Sequence, residues 1–278
     1  MRQVAGRQGH STRQLDRRIS VVIPAKNEAR NIGWVVERLP SFVDELVIVD
    51  GNSNDPTVEV VLALRPDAVI VNDRRPGKGA ALRAGFAAAT GDYVVMLDAD
   101  GSMDPLEIGS FIERLDRGAD LAKGSRFLPD GGTADMSYVR EAGNRGLLLL
   151  ANLLFGVWNT DLCYGYAAFR RREIQALDLD ADGFEIETQL FMRATRQGLR
   201  VVEVPSFEAP RRTGTSNLHT FRDGWRVLMT MLSERLRPVE RSVREDQEGM
   251  LVHEAGEHAG AFSIGAGVAS VPVETLLE

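Results

Sequence analysis

The sequence predicts an α/β fold in which helices flank both faces of a mostly parallel central sheet. Between residues 19 and 238, short runs rich in β-branched residues alternate with segments whose apolar residues have helical spacing. This alternation is typical of parallel sheets. Of the 278 residues, 44% are hydrophobic and 26% are charged, which are ordinary values for a globular protein. The formal net charge of −7 argues against a nucleic-acid-binding protein, because such proteins are basic.

The first elements follow from hydrophobic patterning. Ile19–Ile23 is a continuous apolar run that is too short for a helix, so it predicts a buried strand. Asn27–Leu39 has apolar residues at helical spacing and is stopped by Pro40. Leu46–Val49 then predicts the second strand.

The second helix is predicted at Pro56–Leu64, with Asp55 as its N-cap and proline in the first turn. The next elements are a strand, a helix of small residues and another strand: Ala68–Val71, Gly79–Thr90 and Tyr93–Leu97. Sheets of this kind bind ligands beyond the carboxyl ends of their strands. The residues that follow each strand are therefore the candidates for function.

Polar or acidic residues follow all four predicted strands. The four segments are Pro24–Glu28, Asp50–Ser53, Asn72–Asp73 and Asp98–Asp100. One acid at a strand end is often only a helix cap. Four converging segments predict a shared polar crevice.

Asp98 and Asp100 are the sharpest signal in this crevice. Two carboxylates so close together repel each other unless a cation lies between them. Oxygen ligands in a partly hydrated site suit Mg²⁺ or Mn²⁺. A turn rich in Asp and Gly is the structural alternative.

Gly77-Lys78-Gly79 opens a predicted helix, where free amide groups and the lysine charge favour an anion. The spacing differs from that of a Walker loop. A turn and helix start without further function is the alternative.

Four segments of the first half are distinctive together: SVVIPAKNEARNI, VIVDGNSNDPT, GKGAALRAGF and YVVMLDADGSMDP. In these segments the sequence resembles family 2 glycosyltransferases, which have the nucleotide-sugar-binding A-type fold. Further segments resemble the branch of dolichyl-phosphate and polyprenyl-phosphate sugar synthases: AKGSRF, NTDLCYGYAAFRR, FEIETQL and RRTGTSNL. The resemblance extends from about Ser20 to about Leu218.

The resemblance implies roles for individual residues. Those that bind the donor are Pro24, Ala25 and Glu28 at the base and ribose, Asp50 closing that pocket, and Asp98 and Asp100 holding Mg²⁺ or Mn²⁺ on the diphosphate. Those nearer the transferred group are Ser125 and Arg126 beside the acceptor and Arg211 reaching the phosphates. Lys78 and Arg211 would then add electrostatic stabilisation of the departing nucleoside diphosphate.

Three positions depart from the family pattern. Gly51 replaces a usual aspartate, Ser102 replaces a glutamine that is a further metal ligand in the lipid-phosphate synthases, and Asn217 replaces a lysine. The third change removes a positive charge from the acceptor or phosphate side.

The need for a general base depends on the acceptor. A phosphate monoester is already largely ionised near neutral pH, since its second pKa is about 6, and Arg126 would orient it. An alcohol needs a carboxylate base. For that role Asp161 is the first candidate, and the structural alternative is a cap or a salt-bridge partner of a nearby arginine; Glu185 and Glu187 are the reserves.

The expected function is metal-dependent, inverting transfer of a sugar from a UDP- or GDP-sugar to a polyprenyl-phosphate-type acceptor; inversion is implied by the resemblance. One alternative moves the same sugar to a small soluble hydroxyl acceptor. Another, from a different class, is a catalytically silent protein that binds nucleotide sugars.

The most apolar segment, Gly146–Trp158, is 13 residues long, short of the roughly 20 residues that span a bilayer. Helical core packing is one interpretation, and an interfacial helix that contacts the membrane is the other. A cytoplasmic protein is expected, peripheral to the inner face of the membrane if that helix is interfacial.

Both ends of the chain have compositions typical of disordered tails. Residues 1–18 carry five arginines and one aspartate, and residues 239–278 carry eight acidic residues and two arginines. The glycosyltransferase domain is expected between them, at residues 19–238. The single Cys163 excludes an intramolecular disulfide and favours a reducing compartment.

Overall fold

The computed structural model describes residues 17–215 and 219–238. The predictions for the two tails, apart from Arg17 and Arg18, and for Asn217 concern residues outside this described part.

A seven-stranded sheet forms the centre of the described fold, with strand order β3-β2-β1-β4-β7-β5-β8. Its strands are β1 Ile19–Ala25, β2 Glu45–Asp50, β3 Val69–Asn72, β4 Tyr93–Met96, β5 Leu121–Ser125, β7 Ala167–Arg170 and β8 Val201–Pro205. Only β7 runs antiparallel to its neighbours β4 and β5. The short strands β6 (Gly132–Thr133) and β9 (Phe207–Glu208) pair separately. The predicted mostly parallel sheet is confirmed.

Eight α-helices surround this sheet in the described chain. They are α1 Ile32–Glu37, α2 Thr57–Leu64, α3 Lys78–Ala88, α4 Ile108–Asp116, α5 Tyr138–Phe155, α6 Arg171–Ala176, α7 Ile186–Arg196 and α8 Thr220–Leu236. Buried residues of α1, α2 and α4 pack on one face of the sheet, and those of α3, α6 and α7 pack on the other.

The strands supply both faces because their side chains alternate. In β1, Val21 and Ile23 belong to one buried cluster and Val22 belongs to the other. All three side chains are fully buried. A strand covered on both faces needs apolar residues on both of them, which is why three hydrophobic residues follow one another at the centre of β1.

The first two helices begin later than the sequence predicts. Asn27 has a φ of 58°, so the backbone leaves β1 in a left-handed turn and α1 begins only at Ile32. In α2 the cap position is Pro56 and the helix begins at Thr57. The Asp55 carboxylate still accepts the Thr57 amide at 3.2 Å, so the predicted cap is displaced by one residue.

Helices α5, α7 and α8 enclose a third apolar cluster. Ala151 of α5, Phe191 of α7 and Met231 of α8 are buried in it. Part of the apolar segment predicted from the sequence therefore packs inside the protein. Within the described residues, no helix has the combination of length and apolar composition that crossing a membrane requires.

Candidate active site

A cavity of about 860 Å³ lies at the carboxyl ends of β1, β2 and β4. Pro24 and Ala25 line it at the end of β1, and Gly51 and Asn52 line it just after β2. Residues of α5 and α8 also line it. The cavity is in the place where parallel α/β sheets bind ligands, and its volume is typical of a small-molecule site.

Asp98 and Asp100 both line this cavity. They follow β4 in a turn that contains Gly101, whose φ is 76°. A Cβ at Gly101 would lie 2.5 Å from the side chain of Arg212, so the turn requires glycine. The Asp100 carboxylate accepts the amide of Ser102 at 3.0 Å. The turn thus presents two carboxylates to one space.

Lys78 links Asp98 to Glu187. Its Nζ lies 2.6 Å from Asp98 Oδ1 and 2.7 Å from Glu187 Oε1. Burial by itself lowers the pKa of the Lys78 ammonium, but the two carboxylates hold this pKa above its ordinary value. Lys78 therefore stays charged beside the first aspartate.

Arg211 forms a second link of the same kind, between Asp100 and Glu28. Its Nη1 lies 3.3 Å from Asp100 Oδ2, and its Nη2 pairs with Glu28. Burial opposes the charge of Arg211, but these carboxylates hold the pKa of its guanidinium above the ordinary value. Each of the two aspartates thus has one cationic partner.

The paired aspartates have the chemistry that a divalent cation needs when it binds together with a diphosphate. Among the residues that the structure describes, no three His, Cys, Asp or Glu side chains form a metal-binding cluster. A cation bound with a diphosphate needs only one or two carboxylates, because phosphate and water oxygens complete its shell. Burial raises the pKa of Asp98 to about 6, and Asp100 and Glu187 add to this effect while Lys78 opposes it. Asp98 and Asp100 fit Mg²⁺ or Mn²⁺ that is bound together with a diphosphate, since the cation would relieve the repulsion between their carboxylates.

Arg126 also lines the cavity, and it is held by acids on both sides. Its Nε lies 2.7 Å from Asp161 Oδ2, and its Nη1 lies 3.0 Å from Glu208 Oε2. Only 3% of the Arg126 side chain is exposed. The guanidinium is therefore fixed in one orientation at the wall of the cavity.

The structure does not bring Asp161 to the cavity. Its side chain is fully buried, and its two oxygens accept hydrogen bonds from Arg126. Burial raises the pKa of Asp161, but Arg126 and Lys123 outweigh this effect and hold the pKa below its ordinary value. The geometry is that of the salt-bridge partner, not of a base that touches substrate.

Asp50 likewise does not line the cavity. Its carboxylate accepts the amide of Ser53 at 3.2 Å, as a cap of the loop after β2. The neighbours Gly51 and Asn52 line the cavity in its place.

Of the two reserve carboxylates, Glu187 lines the cavity and Glu185 does not. Glu185 Oε1 instead accepts the amide of Gly183 at 3.0 Å. Residues two apart at a helix start point in different directions, which is the reason that only one of them reaches the cavity.

Sequence analysis missed the residues of α5 that line the cavity, among them Arg140 and Asn144. Asn144 is 7% exposed, and neither its amide nitrogen nor its amide oxygen has a partner. Buried polar groups normally have partners, so this side chain is suited to a polar ligand. No sequence signal identified it, because α5 was recognised only by its apolar residues.

The family model for glycosyl transferase family 2 matches residues 20–177 of this chain. A polyprenol monophosphomannose synthase from Mycolicibacterium smegmatis is 35% identical over 214 residues, covering 72% of this chain and 81% of that protein. An undecaprenyl-phosphate mannosyltransferase from Micrococcus luteus is 32% identical, covering 72% of this chain and 87% of that protein. A dolichol-phosphate mannosyltransferase from Pyrococcus furiosus is 29% identical, and this chain spans only 59% of its length.

Solved structures show the same fold. Glucosyl-3-phosphoglycerate synthase from Mycobacterium tuberculosis, in complex with Mn²⁺, UDP and glucosyl-3-phosphoglycerate, has a TM-score of 0.64 and 27% identity. The match covers 81% of this chain and 82% of that chain. The same synthase with Mg²⁺ and UDP gives a TM-score of 0.63 at 26% identity.

Proposed function

This chain belongs to glycosyl transferase family 2, and from that premise we propose that it transfers a sugar from a UDP- or GDP-sugar to a polyprenyl phosphate. In this proposal Mg²⁺ or Mn²⁺ is the cofactor and the anomeric carbon is inverted. The observation that carries the proposal is one cavity that joins the paired aspartates to helices α5 and α8, whose outer surface is apolar and basic.

The donor occupies the part of the cavity next to β1 and β2. Pro24, Ala25 and Glu28, with Asn52, line that part and would contact the base and ribose. The diphosphate then lies beside Asp98 and Asp100. Asp98 and Asp100 would hold Mg²⁺ or Mn²⁺ there, which would supply Lewis-acid neutralisation of charge on the leaving diphosphate.

Lys78 and Arg211 assist departure of the nucleoside diphosphate. When the bond between the anomeric carbon and the diphosphate oxygen breaks, its electron pair goes to that oxygen. The ammonium and the guanidinium are already fixed at the cavity wall. Preorganised cations of this kind stabilise the charge without a cost of reorientation.

The acceptor phosphate lies between Arg126, Arg140 and Asn144 in this proposal. An arginine binds a phosphate through two parallel hydrogen bonds, and the unpaired Asn144 amide offers a further donor. The acceptor oxygen is already ionised and attacks the anomeric carbon from the side opposite the diphosphate. No general base is needed, so Asp161 acts by positioning Arg126.

The acceptor side of the cavity is walled by two helices with an unusual outer surface. Large apolar side chains on α5, α8 and the loop between α5 and β7 are exposed, among them Leu153 at 73%, Trp158 at 94%, Phe221 at 85% and Trp225 at 61%. Arginines accompany them: Arg145, Arg222 and Arg226 are exposed, whereas the α8 acids Asp223 and Glu234 are buried. An apolar and basic surface of this kind matches an anionic membrane, where a polyprenyl phosphate resides.

A product assay tests the proposal. The purified chain is incubated with UDP- or GDP-hexoses, Mn²⁺ and undecaprenyl phosphate in detergent, and lipid-linked hexose is measured by mass spectrometry. We expect product that disappears with chelator.

The same assay with phosphoglyceric acid as acceptor tests the alternative of a small soluble acceptor. Phosphoglyceric acid is chosen because the mycobacterial synthase has been crystallised with it. Transfer to that acceptor alone would contradict the lipid acceptor. Tight nucleotide binding without turnover of any donor would instead indicate the catalytically silent protein.

A further inference from the structure

The ion pair between Lys78 and Glu187 joins two distant parts of the chain. The two residues are 109 positions apart, and the Lys78 ammonium donates to Glu187 Oε1 at 2.7 Å. Glu187 is 8% exposed and lies in the first turn of α7. Lys78 is the first residue of α3. The contact therefore ties the start of one helix to the start of another at the edge of the cavity.

Close backbone packing supports this contact. The amide of Gly79 donates to the carbonyl of Asp182 at 2.8 Å. Behind the pair lies Gly165, where a Cβ would be 2.5 Å from Glu187 Oε1 and 2.9 Å from Lys78 Nζ. The pair is thus packed closely on its Gly165 side, where no side chain larger than glycine fits.

Lys78 shares its charge between two carboxylates with different tasks. Asp98 is a candidate ligand of the donor's divalent cation, so its oxygens are engaged when that cation binds. Glu187 then remains as the acid that holds the ammonium. Without Glu187, the ammonium would have Asp98 as its single carboxylate partner, and a divalent cation that binds Asp98 would leave the ammonium without one.

We infer that Glu187 is a positioning residue: it anchors Lys78 beside the donor diphosphate and keeps the ammonium paired when Asp98 binds the cation. The inference rests on the proposed donor site but not on the identity of the acceptor. It gives Glu187 a role different from that of a general base, because its carboxylate is already engaged by the Lys78 ammonium.

The test measures nucleotide binding by calorimetry, with UDP and with GDP, in Mn²⁺ and in chelator. For Glu187→Gln we expect the dissociation constant in Mn²⁺ to rise about tenfold, or about 1.4 kcal/mol. The dissociation constant in chelator should change much less. Glu185→Gln is the matched control, because Glu185 has the same side chain two residues away and does not contact Lys78. Its dissociation constant should stay within about twofold of the wild type.

A double-mutant cycle separates positioning from a general effect of charge. In a Lys78→Met background, Glu187→Gln should cause no further loss of Mn²⁺-dependent binding, since its effect passes through Lys78. Additive losses would overturn the inference. Glu187→Asp keeps the charge and should retain more of the binding than Glu187→Gln, and it serves as the second variant if the glutamine variant folds poorly.

Activity supplies the remaining distinction. If Glu187→Gln binds nucleotide and Mn²⁺ like the wild type but loses turnover, Glu187 is acting in the chemical step and the positioning role is wrong. If the wild-type chain binds no nucleotide with Mn²⁺, the proposed donor function fails independently of this inference.

Discussion

At the scale of single residues, the two links in the cavity wall, one through Lys78 and one through Arg211, leave an excess of negative charge. They contain four carboxylates and two cations: Glu28, Asp98, Asp100, Glu187, Lys78 and Arg211. The excess of two charges equals the charge of one divalent cation. Both aspartates are already paired, so a cation must compete with Lys78 and Arg211 for them. Cation binding is therefore expected to be strongest when a diphosphate is present to accept the hydrogen bonds of Lys78 and Arg211.

Asp100→Asn is expected to abolish Mn²⁺-dependent nucleotide binding, because it removes one of two carboxylates that face the cation. At a ligand concentration about 100 times its dissociation constant, binding stabilises a protein by about 2.7 kcal/mol. Thermal unfolding with UDP or GDP, in Mn²⁺ and in chelator, measures this stabilisation. Asp104→Asn is the control, since Asp104 pairs with Arg38 and does not line the cavity. A Mn²⁺ response retained in the Asp100 variant would contradict the metal role.

Asp161→Asn is expected to reduce the free energy of unfolding by about 3 kcal/mol or more. The substitution removes the negative charge that pairs with the buried guanidinium of Arg126. Urea denaturation measures this loss. Asp116→Asn, which weakens the more exposed pair with Arg17, should cost about 1 kcal/mol or less. A variant at Asp161 that keeps its stability and loses only turnover would restore the general-base interpretation.

At the scale of the secondary-structure elements, α5 and α8 have two different faces. Their inner residues close the third apolar cluster and one side of the cavity, as Leu147 and Val227 do. Their outer residues include the exposed Leu153 and Trp225. The core-packing interpretation of the apolar segment is therefore correct for one face of α5, whereas membrane contact by the exposed face stays a prediction.

The outer face predicts binding to lipid vesicles. We expect the chain to cosediment with vesicles that contain anionic lipid. The double variant Trp225→Ser with Leu153→Ser should weaken this binding by at least about tenfold, because each substitution removes apolar area that the bilayer would bury. The matched control is Phe42→Ser with Leu64→Ser, which alters exposed apolar side chains outside α5 and α8. Equal losses in both double variants would contradict a specific surface.

Charge on α8 gives a separate expectation. Arg222→Gln with Arg226→Gln should weaken binding to anionic vesicles by about 2 kcal/mol, since each basic residue near such a surface contributes about 1 kcal/mol. Binding to zwitterionic vesicles should change little. A loss of the same size on both vesicle types would indicate that these arginines act through the fold.

At the scale of the whole molecule, stability is expected to fall at alkaline pH. Burial, with Glu187 and Asp161, raises the pKa of Cys163 to about 12, and burial raises the pKa of Tyr164 and Tyr166 above the ordinary value. The unfolded chain loses these protons near pH 8.5 and pH 10, whereas the folded chain retains them. Deprotonation therefore favours unfolding as the pH rises through this range.

The expected slope reaches about 1.4 kcal/mol per pH unit for each group that titrates. Urea denaturation between pH 8 and pH 11 measures it. Tyr166→Phe should be less stable at neutral pH, because it loses the hydrogen bond to the Asp104 carbonyl, but its stability should decline less steeply above pH 10. Stability that is constant or increases over this range would contradict the burial of these groups.

The first half of the fold was predictable from the sequence because its strands have local hydrophobic patterns. The strand at Ile19–Ile23 and the one at Tyr93–Leu97 are short apolar runs, and both exist in the structure with small changes of boundary. Beyond residue 97 the sequence predicted no strand. The antiparallel β7 has the sequence Ala167–Arg170, which is too short and too mixed to identify. Its position follows from pairing with β4 and β5, which lie far away in the chain.

The amino-acid sequence by itself determined the sheet class and the approach of Asp98 and Asp100 to a common space, because strand patterns and the turn after them are fixed by neighbouring residues. Only the tertiary structure decided the partners of those charges. Glu28 meets Arg211 across 183 residues, and Asp161 is buried against Arg126 rather than exposed to substrate. Such contacts depend on how distant segments pack, and an aspartate has the same local sequence signal whether it binds a substrate or a neighbouring arginine.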